Sequence, residues 1–273
     1  MHVLTIAISL KVNDGIVLAA DSASTIIERR GARSRASYVY NNANKIFNLK
    51  KGSPIGAITW GSGSIGQASI STLVKDFRKE TLIKENYEIK DVADNFKTFI
   101  YDNNYLKEFN NWSDKPPLGF VIAGYSSESS LAEEWKIDIN NDGVSGPTKV
   151  RKKNEVGINC NGEPEAIQRL YAGFSSFLPQ ILMESELSED KINQIIHSCL
   201  KLQAPMITPP MPIQDAIDLA KFLVETTVKF SKFTPGPQTV GGPIEIAAVT
   251  KHEGFKWIER KHYFNPSINP KKV

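Results

Sequence analysis

Cysteine is scarce in this chain of 273 residues: Cys160 and Cys199 are the only two. So few thiols exclude a disulfide scaffold and suit a reducing compartment, and the expected location is the cytoplasm. Histidine is almost as rare. His2, His197, His252 and His262 are scattered, and neither cysteine has a second Cys or a His at metal-ligand spacing. No metal site and no organic cofactor is expected. Long apolar runs are missing too. The opening MHVLTIAISL has no basic segment before it, and Lys11, Asn13 and Asp14 interrupt it well short of the ~20 residues a membrane span needs. Neither a signal peptide nor a membrane partner is expected. Nor is there an excess of one charge: 33 Lys and Arg face 30 Asp and Glu, a net charge of +3. The basic residues are spread along the chain, and the runs Lys149 to Lys153 and Lys271-Lys272 read as a solvated turn and a tail, so nucleic acid is not an expected partner.

What remains is an ordinary globular composition, 41% hydrophobic and 23% charged, enough to build a sizeable core. No break in composition and no internal repeat divides it, so a single domain over 1–273 is expected, with an extended tail over 260–273 around Pro266 and Pro270.

The order of elements follows from pattern and punctuation. Residues 3 to 10 and 16 to 20 read as strands joined by the turn Asn13-Asp14-Gly15. The polar, basic stretch from Ser22 to Asn44 reads as a protruding hairpin or loop. Lys45 to Leu49 and Ile55 to Trp60 are short strands, and Gly61-Ser62-Gly63-Ser64 ends the second. Helical spacing predicts helices over about 65–79 and 89–109, the latter from Val92, Phe96, Phe99 and Ile100. Strands are predicted over 118–125, 134–139 and 156–161. Helices follow over 164–183, 189–202 and 213–230, with the proline-rich connector 204–212 between the last two. Two strands, 244–250 and 255–259, close the chain. Strands, helices, strands, helices and strands in that order predict an α+β protein with two antiparallel sheets between helical layers, where strict βαβ alternation would have given a parallel sheet.

Thr5-Ile6-Ala7, followed by Asp14-Gly15-Ile16-Val17-Leu18-Ala19-Ala20-Asp21, closely resembles the opening of proteasome β-type subunits, members of the N-terminal-nucleophile (Ntn) hydrolases. The spacing from Thr5 to Asp21 matches without a gap. Lys45-Ile46 resembles the family's Lys-Ile strand, after a hairpin lengthened by eight residues. Trp60-Gly61-Ser62, the segment Phe120 to Tyr125, Gly241-Gly242 and Val249-Thr250-Lys251 resemble later landmarks. The resemblance implies the four-layer αββα Ntn-hydrolase sandwich, with Thr5, Asp21, Lys45 and Gly61 as catalytic residues.

The chemistry these residue types permit is specific. A threonine hydroxyl is a poor nucleophile until a base takes its proton, and a free α-amine on the same residue can be that base. Such an amine has a pKa of roughly 8, and a neighbouring ammonium lowers it. The resemblance makes Lys45 that ammonium and Asp21 its partner, with the Gly61 amide facing the oxyanion. It also implies that a peptide lies extended between Thr25 and Gly63, pairing by its main chain, that Thr59 borders the first specificity pocket, and that Asn161 stands near the position of the family's accessory serine, which is missing here.

The chain departs from the family pattern at several points. Met1-His2-Val3-Leu4 precedes Thr5 as a possible short propeptide, and Leu4 stands where active members carry glycine. The family's accessory Asp-x-x-Ser is replaced by Thr234-Pro235-Gly236-Pro237-Gln238-Thr239-Val240. Three functions therefore follow from the resemblance: a threonine-type peptidase in an oligomeric chamber that cuts peptides or unfolded protein; an unprocessed, non-catalytic assembly subunit; and an Ntn amidase or transpeptidase with a narrow substrate. A homo-oligomer or ring is implied by the first two.

Overall fold

The structure is a computed structural model that describes residues 5–30, 33–235 and 238–262. The expected propeptide 1–4, most of the expected tail, and Gly236-Pro237 lie outside them. The first sheet has the order β12-β1-β2-β13-β14, built from β12 (Gly157–Gly162), β1 (Ile6–Val12), β2 (Gly15–Ala20), β13 (Glu245–Thr250) and β14 (Gly254–Glu259). All its pairings are antiparallel. The second has the order β11-β10-β9-β6-β5, from β11 (Gly143–Lys149), β10 (Glu133–Asn140), β9 (Leu118–Gly124), β6 (Ile55–Gly61) and β5 (Ile46–Asn48), again antiparallel throughout.

β1 and β2 are buried along their whole length, because both faces are covered. One face, with Ile6, Ile8, Leu10 and Val17, packs beneath the long helix α7 (Ile213–Phe233) through Ala220, Leu223 and Val224. The other face, with Ala7, Ile16 and Leu18, meets Ile58, Val121 and Ala123 of the second sheet. The sheets approach so closely that a Cβ on Gly56 would lie 2.8 Å from Leu18 Cδ1. The outer face of the second sheet packs against α1 (Ile70–Glu80) and α2 (Ile89–Lys97), where the rings of Phe77, Phe96 and Phe120 meet edge to face.

The expected four-layer αββα sandwich gives way to a sheet-rich α+β arrangement. Two ribbons, β3 (Ser24–Arg30) with β4 (Arg33–Tyr40) and β7 (Ser64–Ile65) with β8 (Ala68–Ser69), belong to neither large sheet. The helices do not form two continuous layers either. α5 (Leu178–Glu184) buries no side chain, α6 (Glu189–Leu200) buries only Ile192, and the pair pack against each other. Ile181 and Met183 of α5 and Leu200 of α6 are exposed, as are Phe177 and Leu202 just beyond the helix ends.

Other element expectations shift for local reasons. The helix predicted over 164–183 breaks after α4 (Glu165–Tyr171), where Gly173 takes a φ of 84° and Ser175 and Ser176 turn back onto the Glu165 carboxylate. The predicted 89–109 helix passes from α2 through a π-helical stretch, Thr98–Tyr105, into α3 (Leu106–Phe109). The helix predicted from 65 begins at Ile70, capped by the Ser69 hydroxyl, because the β7-β8 ribbon takes the residues before it. Among the described residues no helix is long and apolar enough to cross a membrane.

Candidate active site

The β1-β2 hairpin brings the start of the first strand beside the end of the second. Ala7 pairs with Ala20, and the Asp21 N–H donates to the Ile6 carbonyl at 3.4 Å. Asp21 therefore stands next to Thr5 although sixteen positions separate them. Lys45 enters from the other sheet, at the residue before β5, where its carbonyl accepts the Thr59 N–H at 2.9 Å.

Thr5, Asp21 and Lys45 meet. The Thr5 hydroxyl donates to Asp21 Oδ1 at 2.7 Å, Lys45 Nζ donates to the same oxygen at 2.5 Å, and Lys45 Nζ also donates to Thr5 Oγ1. All three are buried, Asp21 completely. Oδ1 additionally accepts the Ile6 N–H at 3.1 Å, while Oδ2 accepts the N–H groups of Ala23 at 3.1 Å and Gly241 at 3.0 Å. Burying a carboxylate is costly unless its lone pairs are filled, and here five donors fill them. Burial pulls the Lys45 ammonium below its ordinary range, against the opposing attraction of Asp21.

Gly61 ends β6 with a φ of 93°, and a Cβ there would lie 2.3 Å from the Pro117 carbonyl oxygen. The Thr59 N–H points to Lys45 and the Ser62 N–H to Pro117, at 2.8 Å. Alternation along the strand thus turns the Gly61 N–H to the Lys45 edge. Thr5, Lys45 and Gly61 share one cavity of about 620 Å³. Its wall is rich in hydroxyls, from Ser24, Thr25, Tyr40, Ser62, Ser64, Ser69 and Ser71, and among the described residues Lys45 is the one charged residue lining it.

The remaining predicted residues divide. Thr59 lines the cavity, and its hydroxyl donates to the Gly119 carbonyl at 2.9 Å. Thr25 and Gly63 both line it, and Ser24 comes close to Gly63, where a Cβ would lie 3.2 Å from Ser24 Oγ. The Thr25 hydroxyl is buried and finds no hydrogen-bond partner among the described residues. Asn161 pairs with Ala7 across the sheet and is buried, its Nδ2 without a partner among the described residues. Residues opposite and diagonal across a ladder share a face, so Asn161 stands on the Thr5 side of β12 without lining the cavity. Cys160, the next residue on that strand, faces the other way, into the cluster beneath α7, where burial pushes its thiol up to about 12.

Sequence reasoning missed two backbone contributors. Gly162 has a φ of 94° and packs against Thr5, whose carbonyl accepts the Glu163 N–H at 2.7 Å. Gly241, quoted only as a landmark, is a direct partner of Asp21. No pattern in the chain signals either contact, because each depends on segments brought together from far apart.

No protein-family model matches the chain, and no curated protein matches it. Solved structures do. An Anbu mutant from Hyphomicrobium sp. strain MC1 superposes with a TM-score of 0.51 and 13% identity, over 94% of this chain and 86% of that one. Anbu from Yersinia bercovieri, described as an ancestral β-subunit, gives a TM-score of 0.50 and 10% identity, over 94% and 88%. At such identities the likeness is one of fold alone. It corrects the family expected from the opening motif: the neighbours are a proteasome-like family distinct from the proteasome β-type subunits.

Proposed function

We propose that this chain is a threonine-type amide hydrolase that cleaves peptide bonds in peptides or unfolded protein. In this reading Thr5 becomes the nucleophile once residues 1–4 are removed. The observation that carries the reading is the contact of Lys45 and Asp21 with the Thr5 hydroxyl at the floor of an open cavity.

The freed α-amine of Thr5 takes the hydroxyl proton as Oγ1 attacks the carbonyl carbon. Lys45 stays charged, favours the neutral amine and stabilises the negative charge growing on Oγ1. Asp21 holds Lys45 and Thr5 in register. The oxyanion faces the Gly61 N–H, where a well-placed donor is worth ~3 kcal/mol. The amine returns the proton to the leaving nitrogen as the C–N bond breaks. Water, deprotonated by the same amine, then hydrolyses the ester and restores the hydroxyl. In this reading the setting is an oligomeric chamber, in keeping with a structural neighbour described as an ancestral β-subunit, and the scarcity of cysteine suits a reducing cytoplasm.

A second reading is a non-catalytic assembly subunit that keeps residues 1–4, favoured by Leu4 before the nucleophile and by the absence of a carboxylate over 234–240. Mass analysis of the N-terminus separates the two. The first reading expects a chain beginning at Thr5 that an epoxyketone modifies, with labelling lost in Thr5→Ala. A chain that still begins at Met1 after long incubation, and takes no label, overturns it.

A further inference from the structure

A second, largely buried cation lies near the first. Lys261, just past β14, donates from Nζ to Ser22 Oγ at 2.8 Å and to the Ala43 carbonyl at 2.9 Å, and stands 2.6 Å from Glu245 Oε2. Only 12% of its side chain is exposed, and 2% of that of Glu245. Ser22 follows Asp21 in sequence, and Ala43 shortly precedes Lys45. Ser22 is pinned further, its hydroxyl donating to the Pro243 carbonyl at 2.6 Å and its N–H to the Gly241 carbonyl at 2.9 Å, while the Ala43 N–H donates to the Ser22 carbonyl at 2.9 Å. One ammonium thus fastens the segments that deliver Asp21 and Lys45, and ties them to β13.

We infer that Lys261, paired with Glu245, is a positioning residue that holds the Asp21 and Lys45 segments together and sets the charge balance around Lys45. Asp21, Lys45, Glu245 and Lys261 form two ion pairs in a shared interior, so each pair feels the other with little solvent between them. The Lys261 charge disfavours the ammonium of Lys45, and the Glu245 carboxylate favours it. On Lys261 itself, burial disfavours the charge, Glu245 and Asp21 support it, and Arg260 opposes it. A clamp that served only to hold the chain would leave the titration of Lys45 unchanged when exchanged for an apolar tether. A charge that tunes Lys45 would not.

The catalytic consequence rests on the proposed role of Thr5, but the electrostatic claim does not, and the test keeps them apart. Protein carrying ¹³C-labelled lysine is titrated by NMR, with the Lys45 signal identified by its loss in Lys45→Arg. Lys261→Met is expected to raise the Lys45 midpoint by about half a pH unit or more, because a repelling charge is removed. Glu245→Gln is expected to lower it, and Lys261→Arg to keep it near its starting value. If Lys261→Met does not fold, Glu245→Gln supplies the same test with the opposite sign. Midpoints that stay put in both variants overturn the inference. In parallel, the alkaline limb of the pH profile for epoxyketone labelling is expected to move upward in Lys261→Met by the amount the NMR midpoint moves. A wild-type protein that never labels counts against the catalytic reading alone, and the titration still decides the role of Lys261.

Discussion

Gly162 stands so close to Thr5 that a Cβ on it would lie 2.0 Å from the Thr5 carbonyl oxygen and 3.0 Å from its Cγ2. The backbone there also sits at a φ of 94°, where an L side chain is strained. β12 can therefore hold the Thr5 carbonyl only because this residue has no side chain. Gly162→Ala is expected to cost about 2 kcal/mol or more and to reduce epoxyketone labelling at least tenfold, since displacement of a nucleophile by about 1 Å carries a large rate penalty. Chemical denaturation and labelling kinetics on the same preparation check both.

Asp21→Asn is expected to be among the most damaging single changes. An amide nitrogen in place of Oδ2 would face the N–H groups of Ala23 and Gly241, donor against donor. In place of Oδ1 it would face Lys45 and the Ile6 N–H. Either way Lys45 is left buried without an anion, a loss of about 3 to 5 kcal/mol. For a chain of this size that amounts to a fall of roughly 6–15 °C in melting temperature, readable by calorimetry.

Gly61→Ala tests the proposed oxyanion donor apart from the proposed nucleophile. A Cβ there meets the Pro117 carbonyl oxygen at 2.3 Å, so the turn must move and its N–H with it. Hydrolysis is expected to fall about a hundredfold, while the Thr5–Asp21–Lys45 contacts, made by other segments, persist. Loss of kcat at nearly constant KM for a fluorogenic peptide is the expected pattern. An unchanged kcat would remove Gly61 from the mechanism.

Glu165 predicts an acid dependence of stability. Burial pushes its carboxyl up, but the hydroxyls of Ser176 and Ser175, the Ser176 N–H and Arg169 together outweigh that and bring it down to about 2 from 4.5. A carboxylate whose folded-state pKa is depressed contributes stability above its unfolded value, and that contribution fades as pH falls through the folded one. The melting-temperature gap between wild type and Glu165→Gln is expected to be full above pH 4.5 and to close towards pH 2. A gap that does not change with pH would mean that the turn after α4 is held by something else.

How much of this was readable in advance depends on distance along the chain. The β1-β2 hairpin follows from Asn13-Asp14-Gly15 between apolar runs, and α7 emerges close to its expected span because its apolar face repeats at helical spacing. Thr5, Asp21 and Lys45 could be named together only through a resemblance, since nothing local shows that two sheets bring them into contact. β11 passed unseen because an edge strand carrying Gly146 and Pro147, with no fully buried residue, offers no alternating pattern. The break between α4 and α5 was hidden for a different reason: apolar spacing continues across Gly173, and only the return of Ser175 and Ser176 to Glu165 shows why the helix stops. Lys261 looked like part of a tail, and its burial depends on Ser22, Ala43 and Glu245 meeting from three separate regions.

The α5-α6 pair has a practical consequence. None of the three apolar clusters draws a residue from 178–203, so this excursion adds no side chain to the packed clusters around the cleft. A protease nick or a fluorophore placed at the turn after Glu184 would report on events near this surface without loosening the floor beneath Thr5. That makes it a convenient site for a label that leaves Thr5 undisturbed.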